Sequence, residues 1–282
     1  MITVTTAATQ LEERKVRVEV GPAGGTGLAF EDEDLIFKVK ATRGQKPNEA
    51  EVAISNLSQA TIETYLEANG IQAADLVLQV YAGSPVLGLL FRGSVARRGI
   101  ETAYDIPERT TTIRAADGRR VWRDTRFSAS WPPGSAVAAA FQELIKASNL
   151  PIGYSSALPG DTFAGTWSFA GRWERALTQL CVAYGLTWWI DQGALYLVNS
   201  TDDPSRGNAV FVSPGTGLIG SPKRTDKGCD FEMLLEPKLR PGWPVVIASD
   251  YFDGLYRPIN IEHSGATEAR SWVSRVQTEL VK

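Results

Sequence analysis

The sequence predicts a β-rich α+β protein in which two β-sandwich or barrel domains flank an α+β middle module. Short runs of alternating apolar and polar residues recur near both ends of the chain, the pattern of half-buried strands. The 26 Gly and 15 Pro among 282 residues interrupt the chain too often for long helices. The two clearest 3.6-residue apolar patterns both fall in the middle third. The length suits domains of roughly 100–150 residues. The expected divisions are 1–117, 118–203 and 204–282.

In the first domain, strands are expected over 15–20, 35–40, 51–57, 76–81, 87–98 and 110–115, with turns at Gly21–Gly27 and Gly83–Pro85. Asn48 after Pro47 starts a turn, and Val52, Ile54 and Leu57 form the buried face of the strand that follows. Ser58 is placed to cap a helix over 59–69, with Ile62, Tyr65 and Leu66 on one face and Gly70 as its stop.

In the middle module Trp131-Pro-Pro133 breaks the strand pattern, and Ser135 is expected to cap a helix running to residue 148. Val137, Phe141, Leu144 and Ile145 form its apolar stripe. A second helix over 173–184 places Ala176, Leu177, Leu180 and Cys181 on one face, and Gly185 ends it. Residues 186–198 read as a hairpin turning at Gln192-Gly193. Trp188 and Trp189 are neighbours in a strand and point to opposite faces. One is expected in the module's core, the other against an adjacent domain or subunit.

The third domain follows a polar linker at residues 201–208, with strands over 210–212, 231–235, 245–248, 259–263 and 272–279. Pro241 fixes φ and Gly242 accepts positive φ, which fits a type II turn. Gly215, Gly217 and Gly220 suit an extended loop passing close to another backbone.

A net charge of −3 argues against a protein whose task is to neutralise phosphates along DNA. No apolar run approaches the ~18–20 residues of a membrane span, and the first residues lack the basic start and apolar stretch of a signal peptide. The expectation is therefore a chain made in a cytoplasm, with no stable membrane association. Cys181 and Cys229 lack metal-ligand spacing and read as buried reduced thiols.

His263 is the only histidine, which excludes paired-imidazole chemistry. A Ser-His-Asp triad would also want a Gly-x-Ser-x-Gly elbow, and the chain has none. His263 therefore reads as structural or as part of an interface. Glu31-Asp-Glu-Asp34 lacks the alternating ligands of a calcium loop and reads as a solvated turn. Gly21–Gly27 lacks the Gly-Lys-Ser/Thr ending of a phosphate loop. The tryptophans Trp122, Trp131, Trp167, Trp173, Trp188, Trp189, Trp243 and Trp272 could stack on sugars or anchor partners, against a simpler reading as core. The pairs Arg97-Arg98 and Arg119-Arg120, with Arg43 and Lys46, could line a channel for DNA or sit as solvated strand ends. No carboxylate pair for glycoside hydrolysis can be identified. No catalytic, metal-binding or cofactor-binding residue is expected, no cofactor is implied, and the partner-interface residues are not identifiable from sequence.

Two groups of motifs resemble one family. Leu35–Lys40 followed by Pro47–Thr61 resembles the opening of bacteriophage baseplate hub and late-control tail proteins. Gly215–Pro222, Leu234–Gly242, Ile259–Gly265 and Trp272 resemble, in the same order, the distal half of such hubs. The resemblance implies two tail-tube-like β-domains in a homotrimeric ring that adapts a six-fold tail tube to a three-fold central spike. It further implies a non-enzymatic structural protein of the virion tail baseplate, synthesised in the host bacterial cytoplasm. Its implied partners are the tail tube protein, the central spike protein and other baseplate proteins, with DNA only passing through the lumen. The alternatives are a cell-wall hydrolase of the same particle, which a peptidoglycan assay would reveal, and a carbohydrate-binding β-sandwich, which a glycan array would reveal.

Overall fold

The computed structural model describes residues 3–6, 14–22, 25, 27–31, 33–63, 76–84, 86–105, 108–250, 252–268 and 272–281. Its contacts separate two compact units, one of residues 1–42, 48–117 and 205–282, the other of residues 43–47 and 118–204.

The first unit is built on a 14-stranded sheet. Its N-terminal strands are β1 (Thr3–Thr6), β2 (Lys15–Pro22), β3 (Leu28–Phe30), β4 (Leu35–Thr42), β5 (Glu49–Ser55), β6 (Leu76–Gly83), β7 (Gly88–Asp105) and β8 (Glu108–Ala116). Strict alternation explains β4: Leu35, Phe37, Val39 and Ala41 are buried, while Ile36, Lys38 and Lys40 are exposed. Val52 and Ile54 are buried on β5 as expected; Leu57 is buried too, but beyond the end of the strand at Ser55, after Asn56 turns left-handed at φ +55°. Ser58 accepts the Thr61 N–H at 3.0 Å and opens the helical turn α1 (Gln59–Thr61). Ile62, expected on the apolar face of that helix, is buried, whereas residues 64–69, with Tyr65 and Leu66, and the stop Gly70 lie outside the described residues, as does Pro85 of the β6–β7 turn.

The second unit follows in the chain. It holds α2 (Arg119–Asp124), β9 (Arg126–Trp131), α3 (Val137–Ser148), β10 (Ile152–Ser155), β11 (Trp167–Arg172), α4 (Trp173–Ala183), β12 (Leu186–Asp191) and β13 (Ala194–Asn199). Strands β9 and β11 form an antiparallel ribbon, and β10, β13 and β12 form a three-stranded sheet. The core is the expected one: Val137, Phe141 and Leu144 of α3 meet Ala176, Leu177, Leu180 and Cys181 of α4, with Ile145 packed at the edge. Gln192 and Gly193 both take positive φ, the backbone a two-residue hairpin turn requires. The α3 cap corrects the sequence reading. The cap position is Ala136, whose side chain makes no capping bond. Ser135 sits one residue early because its carbonyl accepts the Phe163 N–H at 2.9 Å, which holds it in the preceding turn.

The chain then returns to the first sheet with β14 (Asn208–Val212), β15 (Leu218–Arg224), β16 (Cys229–Leu234), β17 (Val245–Ala248), β18 (Asp253–Ala266) and β19 (Val273–Leu280). The hydrogen-bonded order is β1-β14-β17-β18-β4-β5-β8-β7-β6-β2-β3, with β19 on β18, β16 on β19, and β15 on β16. The unit contains two apolar clusters. One is formed mainly by β2 to β8, with Val18, Phe37, Val52, Leu78 and Ile113 among its members. The other gathers Val212, Phe231, Met233, Ile247, Ile261 and Val276. The antiparallel pairing of β18 with β4, from Asn260 opposite Thr42 to Ala266 opposite Ile36, makes one continuous sheet over both.

Two glycine-containing segments resolve differently. Gly242 has φ +77°, and the Trp243 N–H reaches the Arg240 carbonyl at 3.2 Å, the type II turn expected there. The segment with Gly215, Gly217 and Gly220 is no extended loop. Pro214–Thr216 forms a 3-10 turn, Ser213 and Thr216 cap it reciprocally, and Gly217 turns left-handed at φ +99° into β15. Close approach to another backbone survives at Gly217 alone, whose carbonyl accepts the Leu234 N–H at 2.8 Å; nothing crowds Gly220.

Candidate assembly surface

The outward side chains of the large sheet form a row of alternating charge across seven strands. In β16, Glu232 faces Arg275 of β19, with Arg275 Nη2 3.3 Å from Glu232 Oε1. Glu262 of β18 lies on the other side of Arg275 and takes Lys38 Nζ of β4 at 3.0 Å. Lys38 stands opposite Glu51 of β5 in register, and Glu51 meets Arg114 of β8 at 2.9 Å. Arg114 reaches on to Glu101 of β7 at 2.8 Å. The sequence places these residues at outward positions of alternating strands, and register makes acid meet base at each step.

Partly solvated pairs of this kind add little stability each. Their stronger effect is on register, because a one-residue slip of β18 against β4 would turn its outward residues inward. Arg114 joins two acids at once, and its hydrogen bonds to Glu51 and Glu101 raise its guanidinium pKa above the ordinary value.

Arg97 and Arg98 are not strand ends. Between Val95 and Ile100 the pairing of β7 with β8 shifts, and the extra residues Ala96–Gly99 bulge opposite Arg114. Gly99 is required there, since a Cβ would fall 2.4 Å from the Arg114 carbonyl oxygen. The bulge turns both arginines outward, and both are exposed.

His263 sits on the inner side of β18 at 2% exposure, with Nδ1 2.8 Å from Ser274 Oγ. Ser274 Oγ also accepts the Glu236 N–H at 3.1 Å. Burial, with the nearby charge of Arg240, pushes the histidine pKa down to about 3. The ring is therefore neutral at ordinary pH. Ser274 has no exposed surface, so this Ser-His contact presents no nucleophile to a solvent-borne substrate.

The remaining sequence candidates separate cleanly. Asp34 is tied into the fold: it accepts from Ser55 Oγ at 3.1 Å and from Thr267 Oγ1 at 3.2 Å, which corrects the reading of the acidic run as a merely solvated turn. Among the described residues no group of His, Cys, Asp and Glu could hold a metal ion. Trp131, Trp173, Trp188, Trp189 and Trp272 are buried, whereas Trp122, Trp167 and Trp243 are partly so. Trp188 packs against Trp122 and Trp173 as the core residue of the pair. Trp189 stacks on Tyr196 at 5.3 Å beneath Arg43 and is 1% exposed, so no neighbouring subunit is needed to cover it. Cys181 and Cys229 are free and buried in separate clusters, and burial pushes the Cys181 thiol up to about 12. Among the described residues no helix is long and apolar enough to cross a membrane.

Sequence reasoning read Asn48 only as the start of a turn and missed its buried hydrogen bonds. It is 2% exposed, its side chain accepts the Thr42 N–H at 2.8 Å, and its carbonyl accepts the Asp117 N–H at 2.8 Å. One buried amide thus joins the end of β4 to the end of β8. The turn-forming Pro47-Asn48 pair was the available signal, but it gave no partner.

No protein-family model matches the chain, and no curated protein matches it. Solved structures do. The 43 kDa tail protein of prophage MuSo2 from Shewanella oneidensis is similar over 94% of this chain and 96% of its own, with a TM-score of 0.65 at 8% identity. A tail protein from Neisseria meningitidis is similar over 95% of this chain and 96% of its own, with a TM-score of 0.62 at 10% identity. The Escherichia coli c3393 protein, a type VI secretion component described as structurally similar to the T4 tail proteins gp27 and gp5, covers 93% of this chain with 77% of its own, with a TM-score of 0.59 at 9% identity. The chain has the fold of phage tail proteins.

Proposed function

We propose that the chain is a structural hub protein of a phage tail baseplate or a related injection device, acting as a homotrimeric ring between a six-fold tail tube and a three-fold central spike. The observation that carries this reading is the pairing of β18 with β4. It places two apolar clusters, one N-terminal and one C-terminal in sequence, in a single sheet. Read as two tail-tube-like β-domains, 1–117 and 204–282, with 118–203 as an inserted module, three such chains offer six similar β-units. That number is what a six-fold tube requires of a three-fold ring. The tail tube protein, the central spike protein and other baseplate proteins are the partners this role entails.

A ring closes through heterologous contacts, one face of a subunit meeting a different face of the next. The alternating charge row suits such a face, because it is ordered and charged. Durable assemblies of this kind typically bury about 2,000 Å² or more per contact. Native mass spectrometry tests the ring directly. The expected species is three times the 30.6 kDa chain mass, alone or with spike protein added. A strictly monomeric chain under both conditions, or a stable dimer, contradicts the reading.

A further inference from the structure

The second unit carries a cluster of arginines that its own acids do not balance. Arg119, Arg120 and Arg123 lie on α2, Arg126 opens β9, Arg172 ends β11 and Arg175 follows in α4. The elements are joined locally, since the Trp173 N–H reaches the Thr125 carbonyl at 3.2 Å and Arg126 and Arg172 are directly opposite in the ribbon. Arg120, Arg126, Arg172 and Arg175 are exposed. Arg123 holds Asp124 through two bonds of 2.7 and 2.8 Å, and Arg172 has Glu174 at 3.6 Å. Arg119, Arg120, Arg126 and Arg175 make no hydrogen bond or ion pair among the described residues.

One feature of this placement works against the isolated fold. Like charges directly opposite on neighbouring strands repel, which is the situation of Arg126 and Arg172. An anion held between the two removes that penalty. The adjoining outward face of the ribbon is small, with Ser128, Ser130, Ser168 and Ala170 exposed and the Ser130 and Ser168 hydroxyls 2.7 Å apart. A strip of small side chains edged by arginines can receive an extended chain.

We propose that this arginine face docks an acidic protein segment, with Arg126 and Arg172 sharing carboxylates across the ribbon. Every cation in the cluster is an arginine, whose planar fork takes carboxylates two bonds at a time, as Arg123 already does with Asp124. A polyphosphate has the same fork chemistry. It is disfavoured because the chain as a whole is acidic, at −3, and offers a local basic face without the extended basic field that nucleic-acid binders use. The proposal stands independently of the ring reading, since it concerns a surface of one unit.

The test is fluorescence anisotropy on the full chain with a fluorescein-labelled peptide of alternating Glu and Ser. A peptide with Gln for Glu and a single-stranded DNA of equal charge serve as competitors, at about 0.15 M salt, where exposed charges more than about 8 Å apart are screened. The acidic peptide is expected to bind, the Gln peptide not, and the double variant Arg126→Ser/Arg172→Ser to weaken binding by about tenfold or more. The pair Arg97→Ser/Arg98→Ser, in the other unit, is expected to leave binding within about twofold. If the Ser variant does not fold, Arg126→Lys/Arg172→Lys keeps the charge and removes the fork, and is expected to lose several-fold. Equal binding of the Gln peptide, tighter binding of DNA, no binding of either, or equal losses in both pairs of variants overturns the proposal.

Discussion

Trp272 stands edge-on to Phe37 with ring centroids 5.4 Å apart, although 235 positions separate them in sequence. The indole N–H donates to the Ala266 carbonyl at 2.6 Å, and the ring belongs to the N-terminal apolar cluster. Gly265 makes room for the pair, since a Cβ there would fall 2.8 Å from the Phe37 ring. The last strand region is therefore locked to β4 through a side chain as well as through backbone pairing. Replacing Trp272 by Ala is expected to destabilise by about 3–5 kcal/mol, the usual range for a buried large aromatic. Urea unfolding followed by circular dichroism checks this, and a loss under 1 kcal/mol would contradict the packing.

The buried imidazole gives a pH signature with a definite sign. His263 is held near 3 by burial, below its ordinary 6.5, so the unfolded chain binds a proton that the folded chain refuses. Its stabilising effect is present above about 6.5 and is lost as pH falls from there toward 3. Glu236 works oppositely, because burial raises its carboxyl pKa and favours the fold at low pH. Comparing the pH dependence of unfolding for the parent chain and His263→Gln isolates the histidine. The variant should lose stability less steeply below pH 6.5; parallel curves would show that the ring protonates freely in the fold.

Both thiols should be silent in the native protein. Cys181 is 1% exposed with its pKa near 12, and Cys229 is enclosed by Thr278, whose hydroxyl is 3.4 Å from its sulfur. A thiol reagent is expected to label neither residue until denaturant is added, then two per chain. Rapid native labelling, or a 181–229 crosslink found by non-reducing mass spectrometry, would contradict the burial described here.

The charge row should govern pairing more than stability. A double-mutant cycle on Lys38→Ala and Glu262→Ala is expected to give a coupling below about 1 kcal/mol, the range for partly exposed pairs. A coupling above about 2 kcal/mol would mean that the seam is held by charge and not by the backbone pairing and apolar contacts.

The strands were legible where alternation was strict, as in β4 and β5, because period-2 burial leaves a direct trace in the residue types. Both middle helices were legible for the matching reason at period 3.6. What the sequence withheld was long-range. Nothing local says that Asn260–Ala266 will pair with Ile36–Thr42, or that Trp272 will fill the N-terminal cluster. The same limit hid the charge row, whose members lie from Lys38 to Arg275 and meet only through register. Local readings failed where a tertiary bond outweighed propensity, as with Ser135, which is held in the turn before α3, and with Arg97 and Arg98, which a bulge lifts from an apparent strand end.

Electron cryomicroscopy of the assembled particle or of the purified ring tests whether this fold serves as a ring adaptor. Three copies of the chain are expected, with residues 1–117 and 204–282 of each superposing as a common β-fold and together giving six β-units around the axis. A ring with a different copy number, or two ends that fail to superpose, would contradict that role.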